Sequence, residues 1–182
     1  MGANLPVAGQ SPDVTLRQAL ARLEALGLGP LQASPLYATP CFPAGSGPDY
    51  VNAAARLTCS ARLSPQAVLA HLHTVEQEFG RERVRRWGQR TLDLDLIAMG
   101  DLVLPDAATH GLWRDLPPEE QARRAPQELI LPHPRLQDRA FVLVPLADVA
   151  PDWRHPILDR SVIQLRDALP AADRAEVRRI PG

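Results

Sequence analysis

The chain has 182 residues, 45% of them apolar, and a formal net charge of −1. These values suit one folded domain with a sizeable core, and they argue against a general attraction to nucleic acid or anionic membranes. All 20 basic residues are arginine. This excludes the enzyme classes that need a lysine, such as P-loop NTPases with a Walker A motif, protein kinases and Schiff-base enzymes. Because no apolar run approaches ~18 residues and no signal peptide opens the chain, we expect a cytoplasmic protein.

The first predicted elements are a helix and a strand. Apolar residues at helical spacing predict a helix over 11–27, capped by Ser11 and ended by Gly27. A weak strand is predicted at 31–37, where Pro35 interrupts the pattern. A proline- and glycine-rich loop then leads to the next strand, and a long loop of this kind is often functional.

The middle of the chain alternates between strands and helices. Residues 50–59 alternate between apolar and polar, which predicts a strand whose Asn52 can point off the core. Ser64 opens a second helix, which Gly80 closes. A further strand is predicted over about 91–99, directly after a run of arginines.

The last third of the chain contains an insertion and then a strand and a helix. The insertion is placed at about 103–127 and contains a short surface helix. The run "FVLVPL", 141–146, predicts another strand, and Ser161 with Gln164 forms a capping box for a C-terminal helix. This mixture of elements, without a repeat, indicates an α/β sandwich in a single domain over 1–182.

Two aspartates, Asp93 and Asp95, alternate with leucines in the predicted strand. Residues two apart on a strand share a face, so both carboxylates lie opposite the buried leucines. Neighbouring carboxylates repel each other, and Mg²⁺, which prefers oxygen ligands, removes that repulsion. For a D-x-D motif taken alone, however, a solvated edge strand is the simpler explanation.

Five arginines precede the aspartates within ten residues. Arginine binds phosphate oxygens in bidentate fashion, and arginines next to carboxylates for Mg²⁺ make the two halves of a nucleoside triphosphate site. The combination favours phosphoryl transfer over a solvated surface segment. Trp87 can stack on a base or a pterin ring, or pack in the core. The arginines are Arg81, Arg83, Arg85, Arg86 and Arg90.

Two further groups of residues suggest ligand contacts. His133 lies beside Arg139 and a second arginine in a proline-marked loop, which makes it a candidate for a phosphate contact. Thr39, Tyr50 and Asn52 offer polar groups and one aromatic face around the loop at 40–49. For this second group, an ordinary loop feeding a strand is about as good an explanation.

The stretch "RWGQRTLDLDLI", 86–97, closely resembles the signature of the 6-hydroxymethyl-7,8-dihydropterin pyrophosphokinases of folate biosynthesis. The stretches "GANL", "LYATP", "PDYVNAA" and "LPHPRLQDRAFVLVPL" also resemble that family, in the same order. The resemblance covers about 2–170, except the insertion. It implies a ferredoxin-like α+β sandwich, with a mixed or antiparallel sheet flanked by helices. It also implies a transferase that moves pyrophosphate from ATP to the pterin hydroxymethyl group and releases AMP.

The resemblance also implies roles for individual residues. Two Mg²⁺ ions would lie between the ATP phosphates and the carboxylates of Asp93 and Asp95. Arg81 and Arg83 would close over the phosphates, and Arg90, His133 and Arg139 would hold them. The remaining ATP contacts would come from His73, Glu76, Leu96 and Trp87. The pterin would lie between Tyr50 and Phe141, with further contacts from Thr39, Pro40, Phe42, Asn52 and Trp87.

The chain departs from the family pattern at its start, where Met1 directly precedes Gly2. We therefore expect the first, interior strand to be missing. This leaves open a non-catalytic pterin- or nucleotide-binding protein, inactivated by N-terminal truncation. A nucleic-acid-binding sandwich is a third hypothesis, which the net charge and the two aspartates oppose. We expect small-molecule substrates, neither nucleic acid nor membrane as a partner, and a monomer.

Overall fold

The computed structural model describes residues 1–41, 47–59, 63–80 and 91–181. In this part of the chain two antiparallel sheets are present, one of four strands in the order β1-β4-β3-β6 and one that pairs β2 with β5. The strands are β1 (Gly2–Ala3), β2 (Leu31–Ala33), β3 (Tyr37–Thr39), β4 (Tyr50–Asn52), β5 (Ala55–Leu57) and β6 (Arg178–Arg179).

Helices flank these sheets, as the α+β prediction required. None of the described helices is long and apolar enough to cross a membrane. The helices are α1 (Pro12–Ala25), α2 (Pro65–Glu78), α3 (Ala107–Arg114), α4 (Pro118–Arg123), a 3₁₀ turn (Leu136–Asp138), α5 (Ala140–Val149), α6 (Val162–Ala168) and α7 (Ala171–Ala175).

The predicted strands at 31–37 and 50–59 each split into two short strands that belong to different sheets. Ser34 lies at the break, where its backbone N–H donates to the carbonyl of Ala54 at 2.9 Å. The N–H of Ala54 in turn donates to the Ser34 hydroxyl at 3.0 Å. Proline has no N–H to donate, so Pro35 cannot continue the backbone pairing past this point.

The first two helices form as predicted, with one difference at the start of α1. Ser11 lies at the N-cap position, but its hydroxyl donates to the carboxylate of Asp13 at 2.6 Å and caps no backbone N–H. Ser64 does cap α2, since its hydroxyl accepts from the N–H of Ala67. Gly27 follows α1 with a positive φ of 66°, a conformation that favours glycine.

Two predicted strands are wrong. The run at 141–146 is part of helix α5, because a short apolar run has no period that distinguishes a buried strand from a buried helix. The segment 91–99 forms only one isolated bridge, between Asp93 and Gly2. Its neighbour β1 has only two residues, so the two segments exchange one pair of backbone hydrogen bonds and no more.

β1 lies between β4 and the bridge at Asp93, which is an interior position in the sheet. The structure therefore has a short strand at Gly2–Ala3 where the resemblance led us to expect none. Ala3 is fully buried and belongs to the larger core cluster. This core joins α1 and α2 to the inner face of the sheet through side chains that include Leu16, Val75 and Leu92.

A second core cluster joins α5 and α6. Leu136, Leu143, Val162 and Leu165 form its buried centre. The predicted capping box at the start of α6 is present, with both of its hydrogen bonds. The insertion forms two helices, α3 and α4, of which α3 was not predicted.

Candidate active site

A row of paired residues crosses the four-stranded sheet at the candidate site. Gly2 and Asp93 exchange backbone hydrogen bonds of 2.9 and 2.8 Å, Gly2 is paired with Asn52, and Asn52 is paired with Tyr37. Directly paired residues place their side chains on the same face of a sheet. The Tyr37 hydroxyl donates to Asp148 of α5 at 2.7 Å, so this face of the sheet is the one that α5 approaches.

Gly2 has no side chain and so leaves room for the carboxamide of Asn52, which lies over it. A Cβ atom at Gly2 would lie only 2.7 Å from Oδ1 of Asn52. Neighbouring strands are ~4.8 Å apart, so Asp93 and Asn52, two strands apart, are separated by roughly 10 Å. The row thus has a carboxylate at one end and a carboxamide two strands away.

The residues predicted to bind pterin cluster at the carboxamide side of this row. Asn52 donates from Nδ2 to the hydroxyl of Thr39 at 2.6 Å, and both side chains are buried. Thr39 is paired across the strands with Tyr50, which is half-buried. Pro40 follows at the end of β3 and is exposed.

Phe141 lies at the start of α5, and 41% of its surface is exposed. The guanidinium of Arg139 lies over its ring at 5.5 Å from the centroid. α5 contacts β3 and β4, the strands that carry Thr39 and Tyr50. The sheet side chains and this exposed aromatic ring thus belong to packed neighbours.

The two aspartates show the alternation that the sequence predicted, although the strand itself is absent. Leu92 and Leu94 are buried in the core, Asp93 is half-buried and Asp95 is exposed. Leu96 is half-buried and packs against the same core cluster. The segment therefore presents its carboxylates away from the leucine side chains.

The side chain of Glu76 on α2 bonds a backbone N–H group of this segment. Its side chain is only 1% exposed, and its carboxylate accepts a hydrogen bond from the N–H of Leu94 at 2.7 Å. His73 lies three residues earlier on α2, on the adjacent turn, and is half-buried. The resemblance implies an ATP contact for Glu76, which stays a prediction; the hydrogen bond seen here joins its carboxylate to the aspartate segment.

His133 connects the following loop to the same segment. Its backbone N–H donates to the carbonyl of Ile97 at 2.7 Å, and its Nδ1 accepts from the N–H of Arg135 at 3.2 Å. Burial lowers the pKa of His133 to about 4, while the carboxylate of Asp95 raises it and the guanidinium of Arg139 lowers it further. The imidazole is therefore neutral at pH 7 and carries its proton on Nε2, which makes it an uncharged hydrogen-bond donor.

The aspartate pair fits the ligand chemistry of Mg²⁺. This ion is commonly held by one or two carboxylates together with phosphate oxygens and water. Burial lowers the pKa of the Met1 amino group, and the nearby carboxylates of Asp95, Asp93 and Glu76 oppose that shift in part. In the described ranges, no three His, Cys, Asp or Glu side chains are grouped so that they could hold a metal ion.

Several predicted site residues lie outside the described residues, and their roles stay predictions. Two residues inside the described part had no predicted role, Gly2 and Asn4. Asn4 is buried and donates to the carbonyl of Pro48 at 3.3 Å, next to the pterin-side loop. The motif "GANL" contained both residues, but only the sheet pairing shows what they contact. The residues outside the described ranges are Phe42, Arg81, Arg83, Arg85, Arg86, Trp87 and Arg90.

Known proteins resemble this chain over most of its length. Residues 1–151 match the family model described as 7,8-dihydro-6-hydroxymethylpterin-pyrophosphokinase. A 2-amino-4-hydroxy-6-hydroxymethyldihydropteridine pyrophosphokinase of Pseudomonas aeruginosa is 36% identical over 183 residues, which cover 100% of this chain and 94% of that protein. A protein of the same name from Synechocystis sp. is 47% identical over 118 residues, and one from Haemophilus influenzae is 37% identical over 105 residues.

The aligned parts differ in extent. They cover 65% of this chain and 49% of the Synechocystis protein, and 58% of this chain and 52% of the Haemophilus protein. The chain thus spans about half the length of these two relatives and nearly all of the Pseudomonas one. The family model over residues 1–151 and the Pseudomonas relative show that the chain belongs to the 7,8-dihydro-6-hydroxymethylpterin-pyrophosphokinase family.

Proposed function

We propose that this chain transfers a pyrophosphoryl group from ATP to the hydroxymethyl oxygen of 6-hydroxymethyl-7,8-dihydropterin and releases AMP. The observation that supports this most strongly is the row of Asp93, Gly2 and Asn52. In this row a carboxylate suited to Mg²⁺ and a carboxamide suited to a heterocycle share one face of the sheet. In the transfer, a new bond forms between the pterin oxygen and the β-phosphorus, and the bond from this phosphorus to the α,β-bridging oxygen of ATP breaks.

On the pterin side, Asn52 and Thr39 form hydrogen bonds with the edge of the ring. Tyr50 and Phe141 contact its two faces. The buried carboxamide of Asn52 is tied to Thr39 by a 2.6 Å hydrogen bond, so its orientation is set before a ligand arrives. A buried polar group of this kind discriminates against ligands that leave it without a partner. The half-exposed aromatic rings supply apolar area for the flat heterocycle.

On the ATP side, Asp93 and Asp95 would hold Mg²⁺, which supplies charge neutralisation at the phosphates when bound. His133 donates from Nε2 to a phosphate oxygen without adding charge, and Arg139 contributes a cation. Arg81, Arg83 and Arg90 are proposed to contact the same phosphates, and His73 and Leu96 the nucleoside. Catalysis is then mostly positioning and electrostatic stabilisation, with no protein nucleophile.

The decisive experiment measures AMP release from ATP and Mg²⁺, with and without 6-hydroxymethyl-7,8-dihydropterin. AMP that appears only with the pterin supports the proposal. A protein that binds either ligand but releases no AMP is the non-catalytic alternative. An upstream apolar strand, fused to the chain in a parallel assay, shows whether the short β1 limits turnover.

The remaining parts of the proposal concern the surroundings of the reaction. We expect a monomer that acts in the cytoplasm on small molecules alone. Size-exclusion chromatography with light scattering checks the oligomeric state, and a dimer would correct it.

A further inference from the structure

The insertion at 103–127, which the proposed function does not use, is packed against the loop that carries His133. Leu104 and Leu131 exchange backbone hydrogen bonds of 2.9 and 3.2 Å. These contacts tie the start of the insertion to the residue two positions before His133. The insertion therefore begins at a residue that is paired with this loop by one isolated antiparallel bridge.

The second half of the insertion contacts the other side of the same loop. The guanidinium of Arg135 donates from Nη2 to the backbone carbonyl of Gln121 in α4 at 3.1 Å. Gln121 is in turn held by a 2.6 Å hydrogen bond from its side chain to the carbonyl of Leu116. Arg135 is also the residue whose N–H meets Nδ1 of His133, so this contact lies one step from the proposed phosphate ligand.

Between these two contacts, α3 reaches the loop through a buried histidine. His110 is 0% exposed, and its Nε2 lies 3.0 Å from the carbonyl oxygen of Pro132. A carbonyl only accepts hydrogen bonds, so the proton of His110 is on Nε2 and Nδ1 is left as an acceptor. Pro132 directly precedes His133, so this hydrogen bond acts on the peptide group that leads into the proposed phosphate donor.

A second buried histidine, His155, also carries its proton on Nε2. Nδ1 of His155 accepts from the N–H groups of Ile157 and Leu158 at 3.2 and 3.3 Å, so its proton is on Nε2. The two rings lie edge to face, with centroids 5.7 Å apart. Within the described part of the chain, Nε2 of His155 and Nδ1 of His110 are both buried and have no hydrogen-bond partner. The carbonyl of Pro132 therefore sets the tautomer of His110, and the N–H groups of Ile157 and Leu158 set that of His155.

The same geometry excludes a metal between the two rings. A neutral imidazole that binds a metal through one nitrogen carries its proton on the other. Nδ1 of His155 receives two N–H groups and has no room for a proton. Nε2 of His155 therefore keeps its proton and is not available as a metal ligand.

We infer that the insertion positions the His133 loop for ATP, and that His110 is the positioning residue that carries this effect. The opposite side of the loop is held by the bond from His133 to Ile97, two residues after Asp95. The loop is thus fixed between the aspartate segment and the insertion. Loss of the His110 bond should let Pro132 and His133 move relative to Asp95, while the pterin side of the sheet keeps its contacts.

The test compares His110→Asn with His110→Gln. Glutamine can place an N–H donor close to the position of Nε2, whereas asparagine is too short to reach the carbonyl of Pro132. We expect His110→Asn to raise the KM for ATP about tenfold and to leave the KM for the pterin within about twofold, because one buried hydrogen bond is lost. His110→Gln should restore the KM for ATP to within about threefold of the wild type.

A control variant separates positioning from a general loss of stability. Ser161→Ala removes the capping box of α6, whose two hydrogen bonds join only Ser161 and Gln164. It should lower the melting temperature without changing either KM. Equal increases of both KM values in His110→Asn, or the same change in Ser161→Ala, would overturn the inference.

The kinetic test rests on the proposed function. A second measurement therefore uses a signal that does not depend on turnover. Long-range ¹H–¹⁵N spectra of the imidazoles should show both His110 and His155 protonated on Nε2 in the wild type. In His110→Asn the ring signals of His133 should shift, and in His110→Gln they should stay near their wild-type positions. Unshifted His133 signals in the asparagine variant would rule out the inference even if the wild type releases no AMP. Shifted signals without any AMP would instead count against the proposed function alone.

Discussion

At the scale of single residues, Gly2 of the candidate site leaves room that a larger residue would fill. Gly2 stands between Asp93 and Asn52 in the row across the sheet, and a Cβ atom there would meet the Asn52 carboxamide. The amide is held by Thr39, so it can yield only by breaking that hydrogen bond. A methyl group at position 2 should therefore disturb the proposed pterin contacts of Asn52 more than the proposed phosphate contacts of Asp93.

Gly2→Ala should raise the KM for the pterin several-fold, because the Cβ atom at 2.7 Å displaces Oδ1 of Asn52. The KM for ATP should change little. The matched control is Gly111→Ala in α3, where an added Cβ meets no atom within 4 Å and should stabilise the helix by about 0.5–1 kcal/mol. Steady-state kinetics and thermal unfolding measure both effects, and an unchanged pterin KM in Gly2→Ala would contradict the assigned spacing.

Asp95→Asn should lower the rate of AMP release by about a hundredfold or more, because a carboxylate ligand contributes several kcal/mol of charge stabilisation. Asp95 is exposed, so the fold should persist with an unchanged circular dichroism spectrum. Asp101→Asn is the matched control, since Asp101 is an exposed carboxylate six residues further along the chain. A near-normal rate in Asp95→Asn would refute the metal assignment.

At the scale of elements, α2 sets the position of the aspartate segment through Glu76. A segment that forms only one bridge to the sheet needs another anchor, and the 2.7 Å bond from Leu94 to the Glu76 carboxylate is that anchor. Leu92 and Leu94 add apolar burial on the same side. The position of α2 therefore fixes the backbone from which Asp93 and Asp95 project.

Glu76→Gln and Glu76→Met separate this anchoring from contact with the nucleotide. Glutamine keeps an oxygen that accepts from Leu94, so its variant should retain activity within several-fold of the wild type. Methionine leaves the buried N–H of Leu94 without a partner and should cost about 1–3 kcal/mol of unfolding free energy. Urea titration and AMP release provide the measurements. Equal loss of activity in both variants, with full stability, would favour direct contact with ATP.

Elements also show where prediction from the sequence reaches its limit. α1 and α2 were predictable because caps and glycines mark their ends and their apolar residues repeat with helical spacing. α5 was predicted as a strand because its apolar run is too short to show a period. The site residues of β3 and β4 were predicted from motifs, whereas their pairing with Gly2 depends on a register that no local pattern shows.

At the scale of the whole molecule, the buried histidines make stability depend on pH. Burial lowers the pKa of His155 to about 4 from its ordinary 6.5, and it also lowers those of His110 and His133. The unfolded chain binds a proton at His155 near pH 6.5, whereas the folded protein does so only near pH 4. The free energy of unfolding is therefore full above pH 6.5 and falls as the pH approaches 4.

Between pH 7.5 and 5 the protein should lose about 2 kcal/mol of stability through His155 alone. His155→Asn keeps an acceptor for the N–H groups of Ile157 and Leu158 but does not titrate, so its stability should fall less over this range by about that amount. Urea titrations at the two pH values measure the difference. The same pH dependence in both proteins would show that His155 is not the group responsible.

The amino-acid sequence by itself determined the family, the residue types of the site and the ends of the longer helices, because caps, periodicity and signature motifs are local. It also placed carboxylates opposite buried leucines at 92–95, since alternation survives without a full strand. Only the tertiary structure showed that Gly2 lies between Asp93 and Asn52, that the carboxylate of Glu76 bonds the N–H of Leu94, and that His110 bonds the carbonyl of Pro132. These features depend on contacts between residues far apart in the chain, and such contacts are set by packing and register.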